Sequence, residues 1–203
     1  MFKYRIPHVL IRLFSSCTWK VNTRDKELYL TFDDGPHPQI TPWVLQQLQA
    51  YNAKATFFCV GENVQKFPEI YAQILAGQHA VGNHTMQHMK GWKVSKQAYL
   101  DNILQASSYI QSNLFRPPYG KIKWSQLRAL SKQYKIVMWS LLSRDYDKHL
   151  AISESLTAMK LASAGDIIVF HDSEKAFEQL KQLLPPLLAY YQEQGFEMKA
   201  LQA

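Results

Sequence analysis

The 203-residue chain has only two cysteines, no apolar run long enough to cross a bilayer and no glycine-rich phosphate loop. Cys17 and Cys59 cannot build a disulfide framework, and Cys59, inside Ala55-Thr56-Phe57-Phe58-Cys59-Val60, reads as a small buried hydrophobe. The first apolar stretch, Val9-Leu10-Ile11, follows Lys3 and Arg5 but is interrupted by Arg12, with no small-residue cleavage site after it. That argues against a secretory leader and a spanning helix. The expectation for residues 6–15 is an amphipathic segment packed on the domain, with a membrane-surface anchor as the alternative. The cytoplasm is then the default location, with peripheral membrane association as the variant. Charged residues are sparse, 19% against 47% hydrophobic, which excludes disorder and gives ample material for one core. The formal charge is +7, but the 23 basic residues are scattered in runs no longer than two. They read as solvated surface and give no nucleic-acid site.

From Leu28 onward, short apolar runs alternate with amphipathic segments of helical period, the pattern of repeated βα units. Seven strands are expected, at 28–32, 55–60, 79–83, 114–116, 135–139, 166–170 and 196–200. Helices are expected near 41–51, 62–76, 95–112, 124–133, 152–162 and 177–193. Thr41-Pro42 marks a helix start, Gly77 and Gly195 mark helix ends, and Pro185-Pro186 should kink or break the last helix. Without a phosphate fingerprint, alternating units of this number point to a single-domain α/β fold, a distorted (β/α) barrel with about seven parallel strands. It would occupy residues 1–203, with 1–27 an N-terminal extension packed on the barrel.

The chemically able residues fall at the C-terminal strand ends, which meet at one face of such a barrel. Asp33 and Asp34 follow the first strand, His84 the third, and Arg116 and Tyr119 the fourth; Trp139 ends the fifth and His171 the sixth. His84 and His88, four residues apart, fit one side of a helical turn, and with Asp34 they make a two-imidazole, one-carboxylate metal set. Asp33 is then free to take the proton of an attacking water, oriented by a charge-assisted hydrogen bond from Arg116. An amide also needs an acid for its leaving amine: His171, paired with Asp145, fills that role. A backbone N–H following the rigid pair Pro117-Pro118 suits an oxyanion.

Four segments carry a family resemblance: Thr31-Phe32-Asp33-Asp34-Gly35-Pro36, His84-Thr85-Met86-Gln87-His88, Arg116-Pro117-Pro118-Tyr119 and Val169-Phe170-His171. In this order they resemble the successive motifs of the polysaccharide deacetylase family, also called the NodB homology domain or carbohydrate esterase family 4. The resemblance covers residues 28–200. It implies a metal-dependent hydrolase that removes N-acetyl, sometimes O-acetyl, groups from sugars by cleaving a linear amide C–N bond. It also implies Asp33 as base, Asp34, His84 and His88 as metal ligands, Arg116 as the residue orienting the base, Tyr119 beside Pro118 as the oxyanion amide, and His171 as acid. The expected cofactor is one divalent ion, Zn²⁺ first, with Co²⁺, Ni²⁺ and Fe²⁺ accepted by the same ligands. The expected partner is an acetylated amino-sugar oligomer or polymer.

The resemblance has departures. The family's fourth motif usually has an Asp, two residues, then Asp-Trp; here the first Asp is Leu142, the second is kept as Asp145, and Tyr146 replaces the Trp. Val169 stands where Leu is usual, a mild change for an acetyl-sized pocket. Trp139 and Tyr146 are expected at the sugar-binding rim, and Trp43, Trp92 and Trp124 in the core. His8, His37, His79 and His149 match no catalytic role. Two rivals remain: a catalytically impaired sugar-binding member of the fold, suggested by the fourth motif, and a non-haem Fe(II) oxygenase, which uses the same ligand triad.

Overall fold

The computed structural model describes residues 4–202; residues 1–3, including Lys3, and residue 203 lie outside the described residues. Its centre is a curled parallel sheet of β1 (Glu27–Asp33), β2 (Ala55–Cys59), β3 (Ala80–Asn83), β4 (Leu114–Phe115), β5 (Lys135–Ile136), β6 (Leu141–Leu142), β7 (Ile167–His171) and β8 (Glu197–Met198). The strand order is β5-β4-β3-β2-β1-β7-β6, with β8 also on β1. Parallel ladders need crossovers, and helices supply them: α2 (Ile40–Ala50), α3 (Gly61–Lys66), α4 (Pro68–Ala76), α5 (Lys96–Ser107), α6 (Trp124–Leu130), α7 (Ile152–Met159) and α8 (Phe177–Glu193). Helices cover the outside, so central strands are apolar on both faces. From Leu28 to Asp33 every residue of β1 is buried, as is all of β2. The fold is the distorted barrel expected from the sequence.

Four expectations are corrected. The segment 62–76 is two helices, because Pro68 has no N–H to continue α3 and instead opens α4. The segment 135–139 is not one strand: after β5 the chain leaves β4 and rejoins the sheet on β7 as β6. Backbone from the N-terminal segment pairs with this stretch, Thr18 N–H to Ile136 O at 2.8 Å, Met138 N–H to Thr18 O at 2.8 Å and Leu142 N–H to Tyr4 O at 2.9 Å. Trp139 therefore lies between two short strands. Helix α8 is not broken at Pro185 and Pro186, since buried Leu183, Leu184, Leu187, Leu188 and Tyr191 pack it along its length. Thr41 does not cap α2; it is the helix's second residue, and its hydroxyl turns inward. Gly77 and Gly195 do follow their helices, Gly195 with φ 74°.

The N-terminal helix α1 (His8–Leu13) lies against the domain as expected for residues 6–15, although none of its residues is fully buried. Ile11 and the following Phe14 pack against the core around Tyr99, Phe115 and Leu127, whereas Val9, Leu10 and Leu13 face solvent. Trp124, expected in the core, is 55% exposed. Both cysteines are buried, as expected for Cys59.

Packing at the strand ends leaves little room. A Cβ on Gly82 of β3 would come within 2.5 Å of the Phe58 ring. Gly82→Ala is therefore expected to lower stability by about 1–3 kcal/mol, the usual cost of overpacking, measured as a lower urea midpoint with an unchanged slope.

Candidate active site

Asp33 is the last residue of β1, and the chain turns immediately after it: Asp34 has φ 84°, in the left-handed region. Successive strand side chains point to opposite faces, and the turn separates the two carboxylates further. Asp33 Oδ1 accepts from Arg116 Nη1 at 2.7 Å, whereas Asp34 Oδ1 lies 3.3 Å from His88 Nε2 and 3.8 Å from His84 Nε2. Two acids that would repel if parallel thus serve different neighbours.

Arg116 follows β4 and is fully buried. Its Nη1 also donates to Thr31 Oγ1 at 2.7 Å, its Nη2 to Met138 O at 2.8 Å and its Nε to Val137 O at 3.2 Å. The guanidinium carbon sits 4.1 Å from the centre of the Phe58 ring. The planar fork is therefore fixed by β1, by β2 and by the segment after β5 before it reaches Asp33.

The histidine pair is not on a helix, which corrects the expectation from its spacing. Residues 84–88 form a bend, with φ 69° at Thr85 and 50° at His88. Carbonyls that a helix would use are engaged from outside, Thr85 O by Gly61 N–H at 3.0 Å and Met86 O by Glu62 N–H at 2.9 Å, while Asn83 Oδ1 accepts from Thr85 N–H at 2.8 Å and Asn102 Oδ1 from Met86 N–H at 2.9 Å. The rings still converge, 5.1 Å apart.

The residues present suit a divalent ion. Ligand atoms of Asp34, His84 and His88 all lie within 4.8 Å of one another. His84 Nδ1 is 2.8 Å from Arg116 O, and since a carbonyl only accepts, Nδ1 carries the hydrogen and Nε2 keeps a lone pair toward Asp34. Burial, with His88 next to it, pushes His84 down to about 3, so it is a neutral imidazole at physiological pH.

His171, the last residue of β7, stands on the opposite wall. Asp145 grips it twice, Oδ2 accepting from the His171 N–H and Oδ1 facing ring Nδ1, both at 2.7 Å. Burial alone would lower the imidazole, but Asp145, aided by Asp34 and Asp33, lifts it to about 9. Tyr146 meets the ring edge-on at 5.1 Å. His171 and Tyr146, with Asp33, Asp34, His84, His88, Tyr119, Trp139, Leu142, Val169 and Lys175, line a cavity of about 370 Å³. Pro118 is buried, and Tyr119 turns with φ 61°. Gly120 is required there: its φ is 63° and a Cβ would strike Trp139 at 2.4 Å. Of the other tryptophans, Trp92 is edge-on to Tyr119 at 5.3 Å, beside the pocket and only partly buried. A larger cavity of about 530 Å³ beside α7 holds no metal-ligand cluster among the described residues.

Supporting residues escaped sequence reasoning. Asp172 is buried and holds the turn after Asp34, accepting from Gly35 N–H at 3.0 Å and Thr41 Oγ1 at 2.5 Å, while its own N–H donates to Asp33 O at 3.1 Å. Burial raises its carboxyl to about 8. Its position next to His171 was the available signal. Asn63 Nδ2 donates to Asp34 O at 2.7 Å, and nothing in the sequence marks it. Lys175 reaches the rim above Tyr146, 5.1 Å from its ring centre. His79, matched to no role, is structural, accepting from Ala55 N–H at 3.1 Å.

Comparison with known proteins places the chain among deacetylases. A family model described as polysaccharide deacetylase matches residues 20–139. A peptidoglycan-N-acetylglucosamine deacetylase of Bacillus cereus is 34% identical, covering 88% of each chain. A chitooligosaccharide deacetylase of Azorhizobium caulinodans is 32% identical, covering 75% of this chain and 77% of the relative. Other peptidoglycan deacetylases are longer, and the chain spans 63% of one and 37% of another. Among solved structures, a peptidoglycan N-acetylglucosamine deacetylase in complex with an N-oxidanyl-benzamide superposes with a TM-score of 0.81 at 28% identity, covering 96% of this chain and 94% of that one.

The Asp145–His171 pair gives a signed pH dependence. A histidine raised to about 9 adds stability that is complete below its unfolded value near 6.5 and lost as pH rises through 9. In Asp145→Asn, burial remains without its ionic partner. The His171 titration followed by NMR is expected to drop below 6.5, and the decline in stability between pH 6.5 and 9 should disappear; a titration still near 9 would contradict the pairing.

Proposed function

The chain belongs to the polysaccharide deacetylase family, and from that premise we propose that it is a metal-dependent hydrolase removing N-acetyl groups from an amino-sugar oligomer or polymer. The observation that carries the reading is the division of labour between neighbouring acids, Asp34 facing two histidines while Asp33 is held by Arg116. Asp34, His84 and His88 would hold one divalent ion, with Zn²⁺ the first expectation. When bound, the ion supplies Lewis acidity to a water and to the acetyl carbonyl.

The chain's own groups do the rest. With Oδ1 engaged by Arg116, Asp33 accepts the proton of the attacking water through Oδ2. His171, charged near neutral pH and carrying its Nδ1 hydrogen toward Asp145, donates from Nε2 to the departing amine. The Tyr119 N–H serves as oxyanion donor. Val169 and Leu142 give the acetyl methyl an apolar wall, and Trp139 and Tyr146 flank the sugar. A peptidoglycan or chitooligosaccharide substrate is supported by the names of the relatives.

Leu142 favours a second reading, a sugar-binding member that does not turn over, because it lines the pocket where the family usually has Asp. The assembled Asp33, Arg116, His171 and Asp145 weigh against it. Asp33, free of the ligand set, also weighs against an oxygenase.

The test measures acetate release from acetylated chitooligosaccharide and peptidoglycan fragments together with bound metal. Activity should vanish on chelation and return with Zn²⁺. Asp33→Asn should lose about 10²–10⁴-fold in kcat while retaining metal, whereas Asp34→Ala should lose the metal as well. Glycan binding with metal bound but no acetate from any acetylated glycan would establish the second reading.

A further inference from the structure

Among the described residues, four exposed large apolar side chains outside the pocket group together, apart from the single ones at Leu75, Leu104 and Leu161. Val9, Leu10 and Leu13 of α1 are 70%, 40% and 57% exposed, and Trp124, the first residue of α6, is 55% exposed. They form one patch, because Phe14, directly after α1, stacks on Trp124 with ring centres 4.5 Å apart and planes 5° apart. The segment is held from beneath: Ile11 and Phe14 pack on the core, and Trp19 Nε1 donates to Phe14 O at 2.9 Å. Its outward face is apolar on an anchored element.

The two segments that carry this patch hold no acidic residue, although Arg5 and Lys20 pair with Asp166 and Arg144 with Asp147 from elsewhere in the chain. Residues 1–24 contain five Lys or Arg and no Asp or Glu, and residues 102–144 contain seven and none. All 16 acidic residues lie elsewhere, so the fold packs two acid-free segments together. Arg12, Lys121, Lys123, Arg128 and Lys132 are exposed on them. Lys123 Nζ donates to Val94 O at 2.8 Å and Lys121 Nζ lies 5.1 Å from the centre of the Trp92 ring, which spends neither charge.

We propose that α1 and the start of α6 form a docking surface for a lipid bilayer with anionic headgroups. Large apolar side chains ringed by cations match the boundary between acyl chains and negative headgroups. A second copy fits less well, since a symmetric contact would oppose the same cations. No helix among the described residues is long and apolar enough to cross a membrane, so the contact is interfacial. Trp124 comes four residues after Gly120 of the pocket loop, so patch and pocket mouth share one end of the barrel. Docking would bring the pocket to the membrane surface.

Vesicle co-sedimentation of the full chain tests this without any turnover, so its outcome is separate from that of the deacetylase reading. The protein should bind vesicles of phosphatidylcholine with about a quarter phosphatidylglycerol, weaken with added salt, and bind pure phosphatidylcholine far less. Val9→Ser, Leu10→Ser and Leu13→Ser together should cut binding about tenfold or more. Arg12→Gln with Arg128→Gln should cut binding to the anionic vesicles by roughly tenfold, and this pair keeps the test open should the triple variant not fold. The proposal is overturned if the anionic vesicles are not bound, or if the folded triple variant binds unchanged. A dimer in vesicle-free sedimentation that the triple variant dissolves would assign the face to self-association and equally overturn it.

Discussion

The site depends on one buried ion pair, Arg116 with Asp33. A fully buried guanidinium is costly unless its charge and its nitrogens are met, and here Asp33, Thr31 and the carbonyls of Val137 and Met138 give each of the three nitrogens an acceptor. Removing either partner of such a pair typically costs about 3–5 kcal/mol, since it leaves the other charge buried alone. The pair therefore binds the end of β1 to the ends of β4 and β5. The same arginine's carbonyl accepts from His84 Nδ1, so one residue sets both the direction of the base and the tautomer of a metal ligand.

Around it, the fold uses environment to make identical side chains differ. His84 and His171 lie on facing walls, yet burial beside His88 drives one toward neutrality and Asp145 keeps the other protonated. Asp33, Asp34, Asp145 and Asp172 are divided just as clearly by their partners: Arg116, two imidazoles, one imidazole, and a Gly35–Thr41 pair. Separating titratable groups in this way is how one cleft holds both an acid and a base near neutral pH.

Much of this was legible because β1, β3, β4 and β7 are apolar runs that stop at or just before a chemically able residue, and a parallel barrel collects those stops at one face. Asp33, Arg116 and His171 could be placed together on that rule. The rule failed where contacts distant in sequence decide. Thr18 and Tyr4 split the stretch after β5, so Trp139 ends no strand. Gly61 and Glu62, with Asn83 and Asn102, hold the histidine segment in a bend although four-residue spacing suits a helix. Asn63 and Thr41 support the site through single hydrogen bonds to distant loops, which no local pattern encodes. The exposed face of α1 was equally hidden, because amphipathic spacing gives a segment's apolar side but not whether the domain covers it.

The central claim is that Asp34, His84 and His88 hold a divalent ion while Asp33 stays with Arg116. An anomalous difference map at the zinc edge, from crystals grown with Zn²⁺, tests it most directly. The account predicts one peak about 2.0–2.2 Å from a carboxylate oxygen of Asp34 and from Nε2 of each histidine, with the Asp33–Arg116 contact intact. A map without that peak, or one in which Asp33 has left Arg116 to join the ligands, would contradict it.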